Sequence, residues 1–216
     1  METVKDNVRR EKLDYIHWSF SERFGGNWVK VKFYRETPDL KESKKLRDIR
    51  FCEAIKEAII SPVLLNQESI TCLGASYAFG WDSDYRNKLL NHCQEKRQIE
   101  RDIILKSLFS RAPHFRKPFQ YIGLNSEGEP DLVMAYMLPE QIMNLIKIYN
   151  NNYGENLDFS LNCMMPICGG IAVRTYSMEE ISVSFGCDDS RKYSSMSRER
   201  LAVGIPKRLF HLFIAH

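Results

Sequence analysis

The sequence predicts an α+β fold (mixed α/β): a mixed sheet with flanking helices, in a single compact domain that spans residues 1–216. Three observations predict it. Apolar and polar residues alternate over Val29–Tyr34, as in a strand with one buried face. Leu132–Met137 is continuously apolar, which is typical of a strand covered on both faces. After Pro139, which suits the first turn of a helix, four apolar residues recur at helical spacing: Ile142, Leu145, Ile146 and Tyr149.

The first half of the chain is predicted to hold three helices and two strands. The first helix covers about residues 5–24 and ends at Gly25-Gly26, before the strand at Val29–Tyr34. A second helix is predicted over about 41–60, from the apolar stripe that includes Ile49, Cys52 and Ile55. A short strand after Pro62 carries Ile70 and Cys72 and ends at Gly74, and a charged helix follows over about 82–110.

The second half is predicted to hold four strands and two helices. The strands are Phe119–Leu124, Leu132–Met137, Phe159–Met165 and a clear one at Ile181–Phe185, in which Ser182 and Ser184 face outward. Between them lie the helix from Pro139, a surface loop at Asn150–Gly154, and a turn or tight helix start at Cys168-Gly169-Gly170. A short C-terminal helix contains Leu209, Leu212 and Phe213.

Composition restricts the class of protein and of partner. The chain is 44% hydrophobic and 27% charged, as in ordinary globular proteins. A net charge of +3 is weaker than the basic face of most nucleic-acid binders. The chain has no apolar run long enough for a membrane helix, and its start lacks the apolar core of a signal peptide. We therefore expect a soluble cytoplasmic protein with no nucleic-acid or membrane partner, and leave its oligomeric state open.

Four of the six cysteines share features that favour a bound ligand. Nineteen residues separate Cys52 from Cys72, and eighteen separate Cys168 from Cys187. Cys72 and Cys187 lie at or just past predicted strand ends, where folds of this kind hold ligands. Glycines follow closely after Cys72 (Gly74) and Cys168 (Gly169, Gly170), and arginines lie near three of the four cysteines (Arg50, Arg174, Arg191). Neighbouring cations favour a thiolate, and glycines let backbone amides approach a sulfur closely.

Other interpretations remain open at this stage. Cysteine is among the most buried residue types, so all six cysteines could be inert core residues. Cys52, for example, fits the apolar stripe of its predicted helix as a small hydrophobe. Cys93, in the charged helix, and Cys163, in a predicted strand, are expected to be inert. A nucleophilic cysteine paired with His114 is a further alternative. Asp188, Asp189 and Ser190 read more simply as the cap of a following helix than as an acid–base pair or metal ligands.

Five segments of the chain resemble the signature blocks of an uncharacterised archaeal and bacterial family. They are Arg50–Ala54, Ile70–Ala75, Ile167–Gly169, Gly186–Arg191 and Gly204–Pro206. The family is domain of unknown function 169, also called the ArCR group, and the resemblance covers about residues 28–206. In place of the prolines that often precede the family's opening strand, Gly25-Gly26-Asn27-Trp28 stands here. The resemblance implies a shared cysteine set, mainly anaerobic hosts, and no settled activity.

The leading hypothesis is therefore a protein whose Cys52, Cys72, Cys168 and Cys187 converge as metal ligands. Four thiolates suit a [4Fe–4S] cluster, and zinc less well, because zinc sites usually show short CxxC spacing. The role would be redox or accessory, with a redox partner or client enzyme. The alternative is a module for a small anionic cofactor or substrate, held by Arg50, Arg174, Arg191 and the loops at Gly74, Gly169 and Gly170. A purely structural protein is the third possibility.

Overall fold

A mixed seven-stranded sheet organises the chain. The computed structural model describes residues 19–40, 43–98, 100–106, 113–159, 161, 165–194 and 196–214. The strands are β1 (Trp28–Tyr34), β2 (Lys44–Lys45), β3 (Val63–Leu65), β4 (Tyr121–Leu124), β5 (Leu132–Met137), β6 (Ser182–Ser184) and β7 (Leu201–Pro206). Their order across the sheet is β2-β3-β4-β1-β5-β7-β6, and the β2–β3 pair is parallel while the other pairs are antiparallel. This sheet and its helices confirm the predicted α+β class.

Helical segments cover both faces of the sheet. The α-helices are α1 (19–24), α2 (Phe51–Ala58), α3 (Leu73–Ala78), α4 (Tyr85–Arg97), α5 (Arg101–Ile104), α6 (Pro139–Tyr153), α7 (Arg174–Met178), α8 (Asp188–Tyr193) and α9 (Phe210–Phe213). A π-helical turn, Cys168–Val173, runs directly into α7. Two 3₁₀ turns lie at Gln67–Ser69 and Lys207–Leu209. Among the described residues, no helix combines the length and apolarity needed to cross a membrane.

The interior strand β5 lies between two hydrophobic layers. All six of its residues are buried, as its continuous apolar run predicts. Leu132, Met134 and Tyr136 face the layer that holds α2, α3 and the π turn, and the alternate residues face the layer that holds α1, α6 and α9. Burying each such large apolar side chain stabilises the fold by about 1.5–3 kcal/mol. Cys52 and Cys168 belong to the first layer.

Several sequence predictions are confirmed with small shifts of boundary. The strand at Val29–Tyr34 extends back to Trp28, and Phe119–Leu124 forms a strand from Tyr121. Pro139 begins α6 in its first turn. The C-terminal helix forms as α9 after a 3₁₀ turn.

The predicted helix over 41–60 is wrong in its first half. Of the residues in this range that the structure describes, 43–60, only Phe51–Ala58 is helical, whereas Lys44–Lys45 pairs in parallel with Val63–Leu64. Asp48 has φ of 54°, which no helix accommodates, and Ile49 forms a parallel bridge with Ile70. Pairing with a distant segment therefore overrides the local apolar stripe. The strand after Pro62 is Val63–Leu65, so Cys72 lies before a helix and not at a strand end.

Three further predictions need correction. The Asn150–Gly154 stretch is the last turn of α6, because asparagines are tolerated on its exposed face until Gly154 ends it at φ of 67°. Ser182 and Ser184 are buried while Phe185 is 55% exposed, since β6 lies between β7 and the π turn. The helix over 82–110 divides into α4 and α5, and residues 107–112 lie outside the described part.

Two predictions fall largely outside the described residues. Of the helix over 5–24, residues 19–24 are described and are helical. Of the strand Phe159–Met165, positions 160 and 162–164 are not described, and Phe159, Leu161 and Met165 are not in a strand.

Candidate functional site

Cys52, Cys72, Cys168 and Cys187 all line one cavity of about 390 Å³. Each lies at the start of a helical segment: Cys52 is the second residue of α2, Cys72 precedes α3, Cys168 opens the π turn and Cys187 precedes α8. The rest of the wall mixes apolar and polar side chains: Arg50, Phe51, Thr71, Leu73, Gly74, Ala75, Tyr85, His92, Met165, Pro166, Ile167, Asp189 and Ser190. Residues far apart in sequence thus share one concave surface.

A backbone bridge brings the first two cysteines together. The Ile49 N–H donates to the Ser69 carbonyl at 3.0 Å, and the Thr71 N–H donates to the Ile49 carbonyl at 3.1 Å. This parallel bridge joins the chain just before α2 to the chain just before α3. Cys52 and Cys72 follow the bridge by three and two residues, so both helices begin beside the same cavity.

The other two cysteines are positioned by tight local structure. Cys187 caps α8: its Sγ accepts the Ser190 N–H at 3.4 Å, and its own N–H donates to Ser190 Oγ at 2.8 Å. Cys168 begins a π turn that packs against α3. The Gly169 N–H donates to the Met165 carbonyl at 2.7 Å, and a Cβ at Gly169 would lie 3.0 Å from the Pro113 carbonyl. That close approach explains the glycine.

Burial differs among the four thiols. Cys52 and Cys168 are 8% and 6% exposed, whereas Cys72 and Cys187 are half-buried. All four are free thiols. Burial raises the pKa of Cys52 to about 12, negative charge on Cys187 or Cys72 adds to the shift, and the Glu53 N–H opposes it. Burial likewise raises the pKa of Cys168, with Cys72 contributing next and the Gly169 N–H opposing. Both thiols therefore keep their protons near neutral pH in the metal-free protein.

The arrangement is not that of a ready single-ion site. Within the described ranges, no group of three or more His, Cys, Asp or Glu side chains is gathered closely enough to hold one metal ion. The four sulfurs instead surround a cavity, each near enough to affect the charge of another. An all-thiolate donor set of four fits an iron–sulfur cluster. The four thiol donors therefore fit the [4Fe–4S] cluster that is expected from the sequence.

The predicted anion-binding residues are largely engaged elsewhere. Arg50 lines the cavity, but its Nε lies 3.6 Å from Asp189 Oδ2 and its guanidinium lies 4.1 Å from the Tyr193 ring centre. Arg174 pairs with Glu180 at 3.7 Å and is not part of the wall. Gly74 lines the cavity, whereas Gly169 and Gly170 are buried in the π turn.

Arg191 points neither to the cavity nor to open solvent. Its guanidinium donates to four backbone carbonyls, those of Phe185, Ser197, Arg198 and Arg200, at 2.6–3.3 Å. The side chain thus ties α8 to the segments on both sides of it. The helix cap is Cys187 with Ser190, while Asp189 pairs with Arg50.

Sequence reasoning missed two residues near the thiols. His92 lines the cavity from α4, within a charged stretch that gives no ligand signal. Tyr136 lies on β5, in the same layer as Cys52, and burial raises the pKa of its hydroxyl. Strand alternation predicts that Tyr136 shares a face with Leu132 and Met134, but it does not predict which other segment packs against that face. His114 stacks on Tyr77 with 4.9 Å between ring centres and does not line the cavity.

The two remaining cysteines fall outside this account. Cys163 and the side chain of Cys93 lie outside the described part of the chain, so the expectation that both are inert stays a prediction.

Comparison with known proteins identifies a family and no characterised relative. No curated protein matches the chain, and no solved structure matches it. The model of the uncharacterised ArCR family, domain of unknown function 169, matches residues 23–216, which include every cysteine that lines the cavity. The chain therefore belongs to the family that its cysteine blocks resemble, domain of unknown function 169.

Proposed function

We propose that this protein binds an iron–sulfur cluster, of the [4Fe–4S] type, through Cys52, Cys72, Cys168 and Cys187. The observation that carries the proposal is the single cavity of about 390 Å³ that all four thiols line. Inert core cysteines have no reason to surround one opening. A wall that also contains apolar residues would shield a cluster from water, as the protein must do to control its potential.

A cluster suits this site better than zinc. Zinc holds its four ligands at about 2.3 Å, so the sulfurs must gather around one point. The described residues contain no such group. The sulfurs of a [4Fe–4S] site bind four different irons and so stand further apart, around a central body. An open cavity between four thiols matches that requirement.

The four cysteine ligands would differ in their exposure to solvent. Cys52 and Cys168 are buried, and the N–H groups of Glu53 and Gly169 favour negative charge on their sulfurs. Cys72 and Cys187 are half-buried and lie at the accessible side. When bound, the cluster would supply one-electron transfer. We propose a redox or accessory role in anaerobic metabolism for a cytoplasmic protein, with a redox partner or client enzyme that approaches the side of Cys72 and Cys187.

Anaerobic reconstitution with ferrous iron and sulfide tests the proposal. We expect brown protein with bound iron and sulfide in about equal amounts, as in a [4Fe–4S] cluster. Replacing any one of the four ligands with serine should lower the iron and sulfide bound per chain. Cys93→Ser and Cys163→Ser are the matched controls and should bind as the wild type does.

Two results would contradict the proposal. One is a wild-type protein whose bound iron stays at the background level after reconstitution. The other is six serine variants that behave alike. If the protein binds stoichiometric zinc and no iron, the site is a zinc site and not a cluster site. A colourless protein that carries a co-purified anion would favour the small-molecule alternative.

A further inference from the structure

One ion pair lies in the wall of the cavity that the four thiols share. Arg50 Nε lies 3.6 Å from Asp189 Oδ2, and both side chains line the cavity. Arg50 directly precedes α2 and comes two residues before Cys52, whereas Asp189 lies in the first turn of α8, two residues after Cys187. The two helices also pack against each other. The pair therefore joins the helix starts that carry these two cysteines.

The guanidinium of Arg50 is held from two directions by α8. Asp189 is one of its partners, and the ring of Tyr193 is the other, with its centre 4.1 Å from the guanidinium carbon. Among the described residues of the cavity wall, Arg50 is the only lysine or arginine. Its side chain is 33% exposed, so water screens its charge only in part. A fixed positive charge and its carboxylate partner thus lie beside the thiols.

We propose that Arg50 and Asp189 adjust the reduction potential of the bound cluster in opposite directions. Reduction adds an electron and makes the site more negative, and the net charge around a cluster is one of the factors that set its potential. The cation of Arg50 stabilises the reduced form and raises the potential, whereas the carboxylate of Asp189 disfavours that form and lowers it. This inference rests on the proposed function.

The test measures the reduction potential of wild type, Arg50→Gln and Asp189→Asn after reconstitution with ferrous iron and sulfide. Arg50→Gln leaves the Asp189 charge unbalanced and should make the potential more negative. Asp189→Asn leaves the Arg50 charge unbalanced and should make it less negative. A change of about tenfold in the preference for the reduced form corresponds to about 59 mV for one electron. The double variant should return towards the wild-type potential, because it removes both charges.

A second ion pair supplies the matched control. Arg174 Nη2 lies 3.7 Å from Glu180 Oε2, and these side chains are 24% and 53% exposed, close to the 33% and 52% of Arg50 and Asp189. Neither Arg174 nor Glu180 lines the cavity. Arg174→Gln and Glu180→Gln should therefore keep the wild-type potential. In the metal-free protein, single variants of both pairs should melt close to wild type, because solvent-exposed ion pairs contribute little to stability.

The outcomes separate this inference from the proposed function. Wild type that takes up no iron and sulfide overturns both. Wild type that binds a cluster, with Arg50→Gln and Asp189→Asn at its unchanged potential, overturns only the role of the pair. Shifts of the same sign in these two variants, or equally large shifts in Arg174→Gln and Glu180→Gln, also overturn it, since charge at the cavity wall would then not be the cause.

Discussion

Cys187 and Ser190 hold each other through both backbone and side chain. The Cys187 N–H donates to Ser190 Oγ at 2.8 Å, the Ser190 N–H donates to Cys187 Sγ at 3.4 Å, and Ser190 Oγ donates back to the Cys187 carbonyl at 2.8 Å. Cys187 is thus both the cap of α8 and part of the cavity wall. The sulfur is held in place before any ligand arrives.

Ser190→Ala should destabilise the metal-free protein by about 1–2 kcal/mol. The substitution removes the Ser190 hydroxyl from the capping box and leaves the Cys187 N–H without its acceptor, while the backbone N–H of residue 190 can still donate to Cys187 Sγ. Ser190 is fully buried, so water cannot replace the lost partner. Urea unfolding checks this, with the exposed Ser177→Ala as a control that should stay within about 0.5 kcal/mol of wild type. A Ser190→Ala variant as stable as that control would show that the Ser190 hydroxyl contributes nothing to the stability of the capping box.

The stability of the metal-free protein should fall in alkali because of Cys52. Burial raises the pKa of this thiol from 9.0 to about 12, so the unfolded chain loses the proton first as pH rises. The folded state then binds more protons than the unfolded state, and the free energy of unfolding decreases with pH. Between about pH 8 and pH 10 this group should cost on the order of 1 kcal/mol. The stability contribution is complete below pH 9 and is lost as pH approaches 12.

Urea unfolding across that pH range measures the effect as a difference between variants. Cys52→Ala should lose less stability than wild type over the same interval, whatever its stability at neutral pH. Cys93→Ala is the control and should follow wild type. Parallel curves for wild type and Cys52→Ala would mean that the Cys52 thiol does not titrate differently on folding.

Gly74→Ala should weaken cluster binding with little effect on the metal-free fold. Its methyl group would lie 3.7 Å from Cys72 Sγ and 3.0 Å from Met165 Cγ, inside the cavity wall. In the metal-free protein the flexible Met165 side chain can move into the cavity, whereas a bound cluster would leave it no room. We therefore expect the overpacking cost of about 1 kcal/mol to appear on binding, as about fivefold in affinity. Iron loss to a chelator measures it. Gly170→Ala is the matched control, because its methyl would meet only the Met165 carbonyl at 3.9 Å. Equal iron loss from both variants would contradict the cavity assignment.

Arg191→Ala should cost about 2 kcal/mol of stability while iron bound per folded chain stays unchanged. Charged donors to carbonyls contribute about 1.5–3 kcal/mol, and Arg191 serves four carbonyls away from the cavity. Arg191→Lys should recover little, since an ammonium lacks the planar fork. Arg198→Ala, at an exposed side chain, is the control for melting temperature. Normal stability with reduced iron would instead return Arg191 to the ligand site.

Local patterns were enough for some elements. The apolar run of β5 and the Pro139 start of α6 were predicted correctly, because strand burial and first-turn geometry depend on neighbouring residues. The four cysteines were also singled out from their neighbours in sequence. The sequence does not show that the four cysteines meet, because spacing along the chain does not determine distance in the fold.

The tertiary structure decided how these residues are used. The Ile49–Ile70 bridge replaced half of a predicted helix and placed Cys52 and Cys72 at one cavity. Arg50 and Arg191 look alike in the sequence, as cations close to a cysteine. In the structure, Arg50 pairs with Asp189, whereas Arg191 donates hydrogen bonds to four backbone carbonyls. Backbone and side-chain donors take the partners that folding brings within reach, and those partners come from distant segments. By itself, the sequence determined the class of the fold and the four candidate thiols. The tertiary structure placed these thiols around a shared cavity and engaged Arg174 and Arg191 in contacts away from it.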